Sequence, residues 1–237
     1  MKAAIRILGL CFSLAASGLN ALAQGTFQNL DFESAVLVPI PGDQFGRVQF
    51  APAFPGWIGN IDTDAETLAL YNNMYLSSTG IGIHGQGSPQ TFGTTRISGN
   101  YTEMIQSGMK VSSFPLVPAV ASLSQTATIP ANAASLRFSA IAYWPFEVSL
   151  NDTPLSLTPV GGLPGIYTVY GVNIPSYAGT TAKLKFTALH NPSPSLVSTL
   201  FLDDILFSTQ PIPEPGAGSI FLLGLGVIRS FRKRLRS

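Results

Sequence analysis

From Leu136 to Ser208 the chain alternates apolar and polar residues with a period of two, broken at intervals by turn residues, and that pattern specifies strands. Leu136, Phe138, Ala140 and Ala142 alternate with Arg137, Ser139, Ile141 and Tyr143; Phe146, Val148 and Leu150 alternate with Glu147 and Ser149. Asn151-Asp152 marks a turn, and Leu155 and Leu157 begin a return strand. Tyr167, Val169 and Gly171 alternate with Thr168 and Tyr170 and lead into Ile174; Leu184 and Phe186 alternate with Lys183, Lys185 and Thr187. Thr199 to Ser208 is a last apolar strand interrupted by Asp203-Asp204. Short strands at this spacing predict an all-β sandwich or barrel. The first half is looser: Val36 to Gly59 is rich in Pro and Gly, while Ala65–Met74 and Asn100–Met109 each read as a short helix or a strand.

The two ends differ from this body. Lys2 and Arg6 precede an uncharged apolar run, Ile7 to Ala16, and Ala21-Leu22-Ala23 supplies a small-x-small site. That order predicts a secretory signal peptide over 1–23, cut by signal peptidase after Ala23 to leave Gln24 at the new N-terminus; the alternative is an N-terminal helix of the folded domain. Cys11 is the single cysteine and lies inside this segment behind Leu10, so lipid attachment is not expected and the exported part carries no thiol chemistry and no disulfide.

At the other end Pro211-Ile212-Pro213-Glu214-Pro215 is incompatible with a helix, Gly216 to Ile228 is uncharged, and Arg229, Arg232, Lys233, Arg234 and Arg236 close the chain. A basic cluster behind an apolar stretch stays on the cytoplasmic side of a membrane, which places the preceding domain outside. The apolar helix, with Leu222, Leu223, Gly224 and Leu225 at its centre, rises about 20 Å, short of a hydrocarbon core roughly 30 Å thick. Packing of this helix on the domain is the alternative. Pro213-Glu214-Pro215, the Gly/Leu-rich helix and the terminal arginines together resemble the PEP-CTERM sorting signal. The resemblance covers 211–237 and implies export in a Gram-negative bacterium, processing by the membrane enzyme exosortase, a link with exopolysaccharide, and a location at the cell envelope or outside the cell.

Between the ends, 24–210 is long enough for one sizeable domain. It holds six basic and eleven acidic residues, a net charge of −5, against +1 for the whole chain. An acidic domain with scattered Lys and Arg has no electrostatic footprint for nucleic acid. Its frequent aromatic and β-branched residues provide a core, so the low charge content does not signal disorder.

Four segments in order, Asn29-Leu30-Asp31-Phe32-Glu33, Pro55-Gly56-Trp57, Ile174 to Gly179 and Leu202-Asp203-Asp204-Ile205, resemble a galactose-binding-like jelly roll, the fold of many carbohydrate-binding modules. The resemblance implies that the first and last strands lie close and share a structural calcium, with Glu33 and Asp203 as ligands and Asp31 and Asp204 behind them. Adjacent strand residues face opposite ways, so only one of Asp203 and Asp204 points into such a site. Asp62-Thr63-Asp64-Ala65-Glu66 lacks the spacing of a calcium loop and reads as a solvated turn or helix start.

Sugar binding needs exposed aromatic faces flanked by amides or carboxylates; Trp57, Tyr71, Tyr75, Tyr101, Tyr143 and Trp144 are available, with Tyr71 beside Asn72 and Asn73 in loop sequence, and Trp57 and Trp144, as tryptophans in a sandwich, more often core. Catalysis has little support. His84 and His190 are the only histidines, no G-x-S-x-G elbow exists, and Gly80, Gly82 and Gly85 read as a glycine-rich loop. The expected protein is a non-catalytic envelope or matrix protein associated with exopolysaccharide. An exposed aromatic cluster would favour a carbohydrate-binding module with a defined site, and two carboxylates facing each other about 5 to 10 Å apart a glycoside-active enzyme.

Overall fold

The computed structural model describes residues 25–88, 96–110, 115–191 and 197–213. The signal-peptide, Glu214-Pro215 and basic-tail expectations lie outside them, and among the described residues no helix is long and apolar enough to cross a membrane. In chain order the elements are β1 (Arg47–Gln49), a single helical turn α1 (Phe50–Ala53), β2 (Ile58–Ile61), β3 (Asp64–Ala65), β4 (Leu68–Tyr71) and β5 (Gly80–His84). There follow β6 (Thr102–Met109), β7 (Pro118–Ala119), β8 (Ala121–Thr128), β9 (Ser135–Tyr143), β10 (Phe146–Leu150) and β11 (Thr153–Pro154). The last four strands are β12 (Thr158–Leu163), β13 (Tyr167–Asn173), β14 (Thr181–Ala188) and β15 (Ser198–Ser208).

These strands form two sheets in a sandwich-like arrangement. The larger runs β1-β4-β5-β6-β15-β9-β13-β12 with β7 on β6, and the smaller runs β11-β10-β14-β8-β2-β3. Pairing is antiparallel except between β4 and β5. The core between the sheets is aromatic: Phe138 packs edge-on against Phe186 at 5.2 Å and Phe27 against Phe207 at 5.0 Å. The β10–β11 hairpin turns through Asn151 and Asp152, both at positive φ, the backbone that suits the twist of a two-residue hairpin.

The alternating strands of the second half form where the pattern puts them, except that Leu155 and Leu157 fall in the link between β11 and β12. The ambiguous segments of the first half resolve as strands β4 and β6. Gly80 and Gly82, read as loop, lie in β5, which is buried throughout. Gly80 has no room for a side chain, since a Cβ there would sit 2.8 Å from the Tyr75 ring. Asn29–Glu33 is not a first strand but a series of turns, with Asn29 and Phe32 at φ of 50° and 57°.

Leu70, Met104 and Phe201 build a second, smaller core on the outer face of the larger sheet, covered by Met74, Tyr75 and Ile97. The middle of that sheet is therefore buried on both faces, which is why β6 shows almost no exposed residue.

Candidate functional site

Three features of the surface bear on function. The first is an apolar cleft of about 240 Å³ beside the second core, floored by Gln106 and Phe201 and walled by Tyr75 and Leu76 on one side and Tyr143 and Trp144 on the other. Gln106 fixes the near wall: its Nε2 donates to the carbonyls of Tyr75 and Ser78, each at 2.6 Å. Trp144 forms the far wall at the β9–β10 turn, with φ of 121°, and is 51% exposed; Leu76 opposite is 91% exposed. Tyr143 stands edge-on to Phe201 at 6.5 Å.

The second feature is a charged cleft of about 290 Å³ lined by Arg47, Asp64, Glu66, Tyr75 and Lys110. Tyr75 lines both clefts and so forms the partition between them. Arg47 Nε donates to Asp43 Oδ1 at 2.7 Å, which lowers the Asp43 carboxyl and raises the guanidinium. Lys110 Nζ lies 2.6 Å from Asp64 and 3.8 Å from Asp62 and is raised by its bond to Asp64. Glu66 is bonded only through its backbone, to Gly59. Burial and then the charge of Asp64 raise its carboxyl. Asp62 and Thr63 are thus the turn of the β2–β3 hairpin and Asp64–Ala65 its second strand, not a helix start.

The third feature is a carboxylate cluster where the N-terminal turns meet β15. Asp204, at φ of 49°, makes a bulge in that strand, and Ile205 N then donates to Leu30 O at 2.9 Å. Asp31, Glu33, Asp203 and Asp204 come into one neighbourhood: burial, then Asp31 and Glu33, raise the Asp204 carboxyl, against a lowering bond from Ser98. Asp203 is buried and Asp204 exposed, yet both bond Ser98, because the bulge at Asp204 breaks the strand alternation. Asp203 Oδ2 accepts from Thr102 Oγ1 at 2.6 Å and Ser98 N at 3.2 Å, and Oδ1 from Asp204 N at 2.8 Å; burial pushes this carboxyl up to about 7. Behind it, Glu103 is fully buried with neither oxygen bonded, and burial and then Asp203 hold it well above the carboxylate range.

No family model and no curated protein matches this chain.

The sequence-derived glycan candidates separate. Trp57 is 5% exposed, packs on Phe32 at 5.8 Å and donates Nε1 to Asn29 O at 3.1 Å, so it offers no face to a ligand. Tyr71 packs against the main core. Asn72, at φ of 49°, is a loop staple: Oδ1 accepts from Gly85 N at 2.7 Å and Nδ2 donates to Gln86 O at 3.0 Å. Trp57 borders a cleft with Phe50 and Ile58 but is buried, whereas Trp144 stands half exposed at one. Its partners Leu76 and Gln106 were not singled out by sequence, although an isolated leucine in the polar run Leu76-Ser77-Ser78-Thr79 is a usable signal. His84 is enclosed in β5, with Nδ1 2.6 Å from Ser88 Oγ and Nε2 unbonded, and burial brings it down to about 4. His190 is exposed just past the end of β14, where Leu189 N donates to Pro145 O at 3.2 Å.

Among the described residues no three His, Cys, Asp or Glu side chains converge as a metal cluster. The carboxylate neighbourhood suits a cation in charge, since none of its four members forms an ion pair. It does not suit one in number, and loop carbonyls would have to supply the remaining oxygens that calcium needs.

Proposed function

We propose that this chain is an exported, non-catalytic carbohydrate-binding protein of the cell envelope, built on a galactose-binding-like jelly roll. The reading is supported above all by Trp144, an exposed tryptophan beside an apolar cleft on a rigid sheet. Exposed apolar surface gathered at one concave place is a binding feature rather than a scatter of surface residues. Aromatic faces there can stack on the apolar side of a sugar ring, while Gln106 holds the loop that shapes the opposite wall. The exopolysaccharide link implied by the C-terminal resemblance agrees with this ligand class. Pro213, Glu214 and Pro215 with the basic tail would address the protein to exosortase, and Ala21 to Gln24 to signal peptidase. Intact mass of protein from the native host, starting at Gln24 and ending near Glu214, is the test of that address; a full-length C-terminus in every fraction would sink it.

A structural calcium at Glu33 and Asp203, with Asp31 and Asp204 behind, belongs to the same proposal. Its role there would be to neutralise desolvated carboxylates and to lock the N-terminal turns to β15.

The two tryptophans make the carbohydrate reading directly measurable. Trp57 is buried and Trp144 exposed, so sugar binding should shield only the quenchable part of the tryptophan fluorescence. Titration of the full chain with oligosaccharides is expected to protect Trp144 from acrylamide, and Trp144→Ala to weaken binding about tenfold. Binding by no oligosaccharide in a broad panel, or unchanged binding by Trp144→Ala, overturns the proposal.

A further inference from the structure

The charged cleft adjoins the aromatic one across Tyr75, and its chemistry selects among sugars. Its two cations are already engaged, Arg47 by Asp43 and Lys110 by Asp64 and Asp62. Among the described residues Glu66 is the one charged side chain lining the cleft with neither a hydrogen bond nor an ion pair on its carboxylate. Counting Asp43 and Asp62, two cations face four carboxylates, so the ionised cleft is net negative within a domain that is itself acidic. An anionic sugar would meet no available cation. A ligand that brings donors and positive charge would complete Glu66.

We infer that the charged cleft is a subsite for a sugar unit bearing a free, protonated amine, and that Glu66 is its specificity-determining residue. The inference rests on the carbohydrate reading of the adjoining cleft. A chain stacked on Trp144 and Tyr143 passes Tyr75, and its next unit lies against Glu66. The ammonium then donates to the Glu66 carboxylate in a charge-assisted bond, while the unit's hydroxyls face the outer oxygens of Asp64 and the Tyr75 phenol. Burial raises the Glu66 carboxyl in the empty cleft, and the arriving cation favours its ionised form.

The test uses the full chain and three tetrasaccharides: a β-1,4-glucosamine tetramer, its fully N-acetylated counterpart and a β-1,4-glucose tetramer, by calorimetry near pH ~6, where the amine is protonated and carboxylates are largely ionised. The amine tetramer is expected to bind about tenfold tighter than the other two, the scale of one charge-assisted bond. Glu66→Gln should erase that preference and leave the other two affinities unchanged, and added salt should shrink it in the wild type. Equal binding of all three by the wild type, or a preference that survives Glu66→Gln, overturns the subsite while leaving the aromatic cleft intact. Binding of none of the three, with other oligosaccharides still protecting Trp144, also overturns the subsite alone. Failure of every oligosaccharide removes both readings.

Discussion

Glu33 holds Asn100 by backbone and side chain at once: Oε1 accepts from Asn100 N and Oε2 from Asn100 Nδ2, each at 2.7 Å. A third bond, from Tyr101 N at 2.9 Å, completes the clamp. It ties the N-terminal turns to the start of β6, and Gly99 in between has no room for a Cβ against the carboxylate. Bonds to a charged acceptor contribute more than neutral ones, and the exposed setting discounts them. Glu33→Gln puts an amide N–H₂ against these donors and is expected to lower unfolding free energy by about 1–2 kcal/mol, read by urea denaturation.

Calcium is expected to act on the same junction. If the ion binds the folded state alone, calcium at roughly one hundred times its Kd stabilises by about 2.7 kcal/mol, or about 5–10 °C in Tm for a domain of this size. Thermal unfolding with calcium and with EDTA measures it, and Asp203→Asn should remove the response. Identical melting curves for the wild type in both conditions would show that the turns are held by N–H and O–H donors alone.

β14, in the smaller sheet, was legible because it buries every second residue. The alternation disappears in β5 and β6, where both faces are covered. There the polar Thr102, Gln106 and Ser107 are each buried and bonded inside: Thr102 to Asp203, Gln106 to Tyr75, Ser107 to Ala188. Gly80 and Gly82 read as loop because their reason is tertiary: the Tyr75 ring crowds Gly80, and Met104 and Leu70 crowd Gly82. The two tryptophans carried no local mark of their different fates. Trp57 is inside because Asn29 O satisfies its N–H, and Trp144 is outside because a tight turn before Pro145 swings it off the sheet. Glu66 has no local mark of its role either, since that role depends on aspartates engaging Arg47 and Lys110.

Trp144 occupies a backbone conformation that suits glycine, with φ of 121°. Such a conformation costs a side-chain-bearing residue of order 1–3 kcal/mol, and the exposed indole recovers little of it by burial. Trp144→Gly is therefore expected to leave stability unchanged or raise it by about 1 kcal/mol. The same substitution should weaken oligosaccharide binding at least about tenfold, since a stacked ring contributes on the scale of 1–2 kcal/mol. A denaturation curve and a binding titration on one sample separate the two effects. Strong destabilisation would show that the indole supports the fold rather than a ligand.

Glu103 sits in β6 between Ile83 and Leu202, fully buried and unbonded. A carboxyl without a partner pays its desolvation cost uncompensated, and an apolar side chain of similar length removes it. Glu103→Met is expected to stabilise the protein by about 1–3 kcal/mol at neutral pH, measured by denaturant unfolding. A loss of stability would instead reveal a partner, such as a bound water, on the carboxyl.

His84 gives the fold an acid-sensitive element whose sign is opposite to that of its acidic neighbours. Burial lowers its pKa from 6.5 to about 4. Above pH 6.5 the imidazole is neutral in folded and unfolded chains alike, and its contribution to stability is complete. Between pH 6.5 and about 4 only the unfolded state takes up the proton, so stability falls with falling pH, by about 3 kcal/mol across the window. Asp203 works the other way. Its carboxyl is raised to about 7, so the folded state takes up a proton first and gains stability over the same descent. The wild-type profile is a sum of opposed slopes, and the His84 part must be isolated by difference. His84→Gln keeps a side chain able to bond Ser88 but cannot ionise. Unfolding free energies of both proteins at pH 7 and pH 4 should show the gap between them moving by about 3 kcal/mol in favour of the variant as the pH falls. A constant gap would mean that the imidazole takes up its proton in place, with Nε2 reaching an acceptor inside the fold.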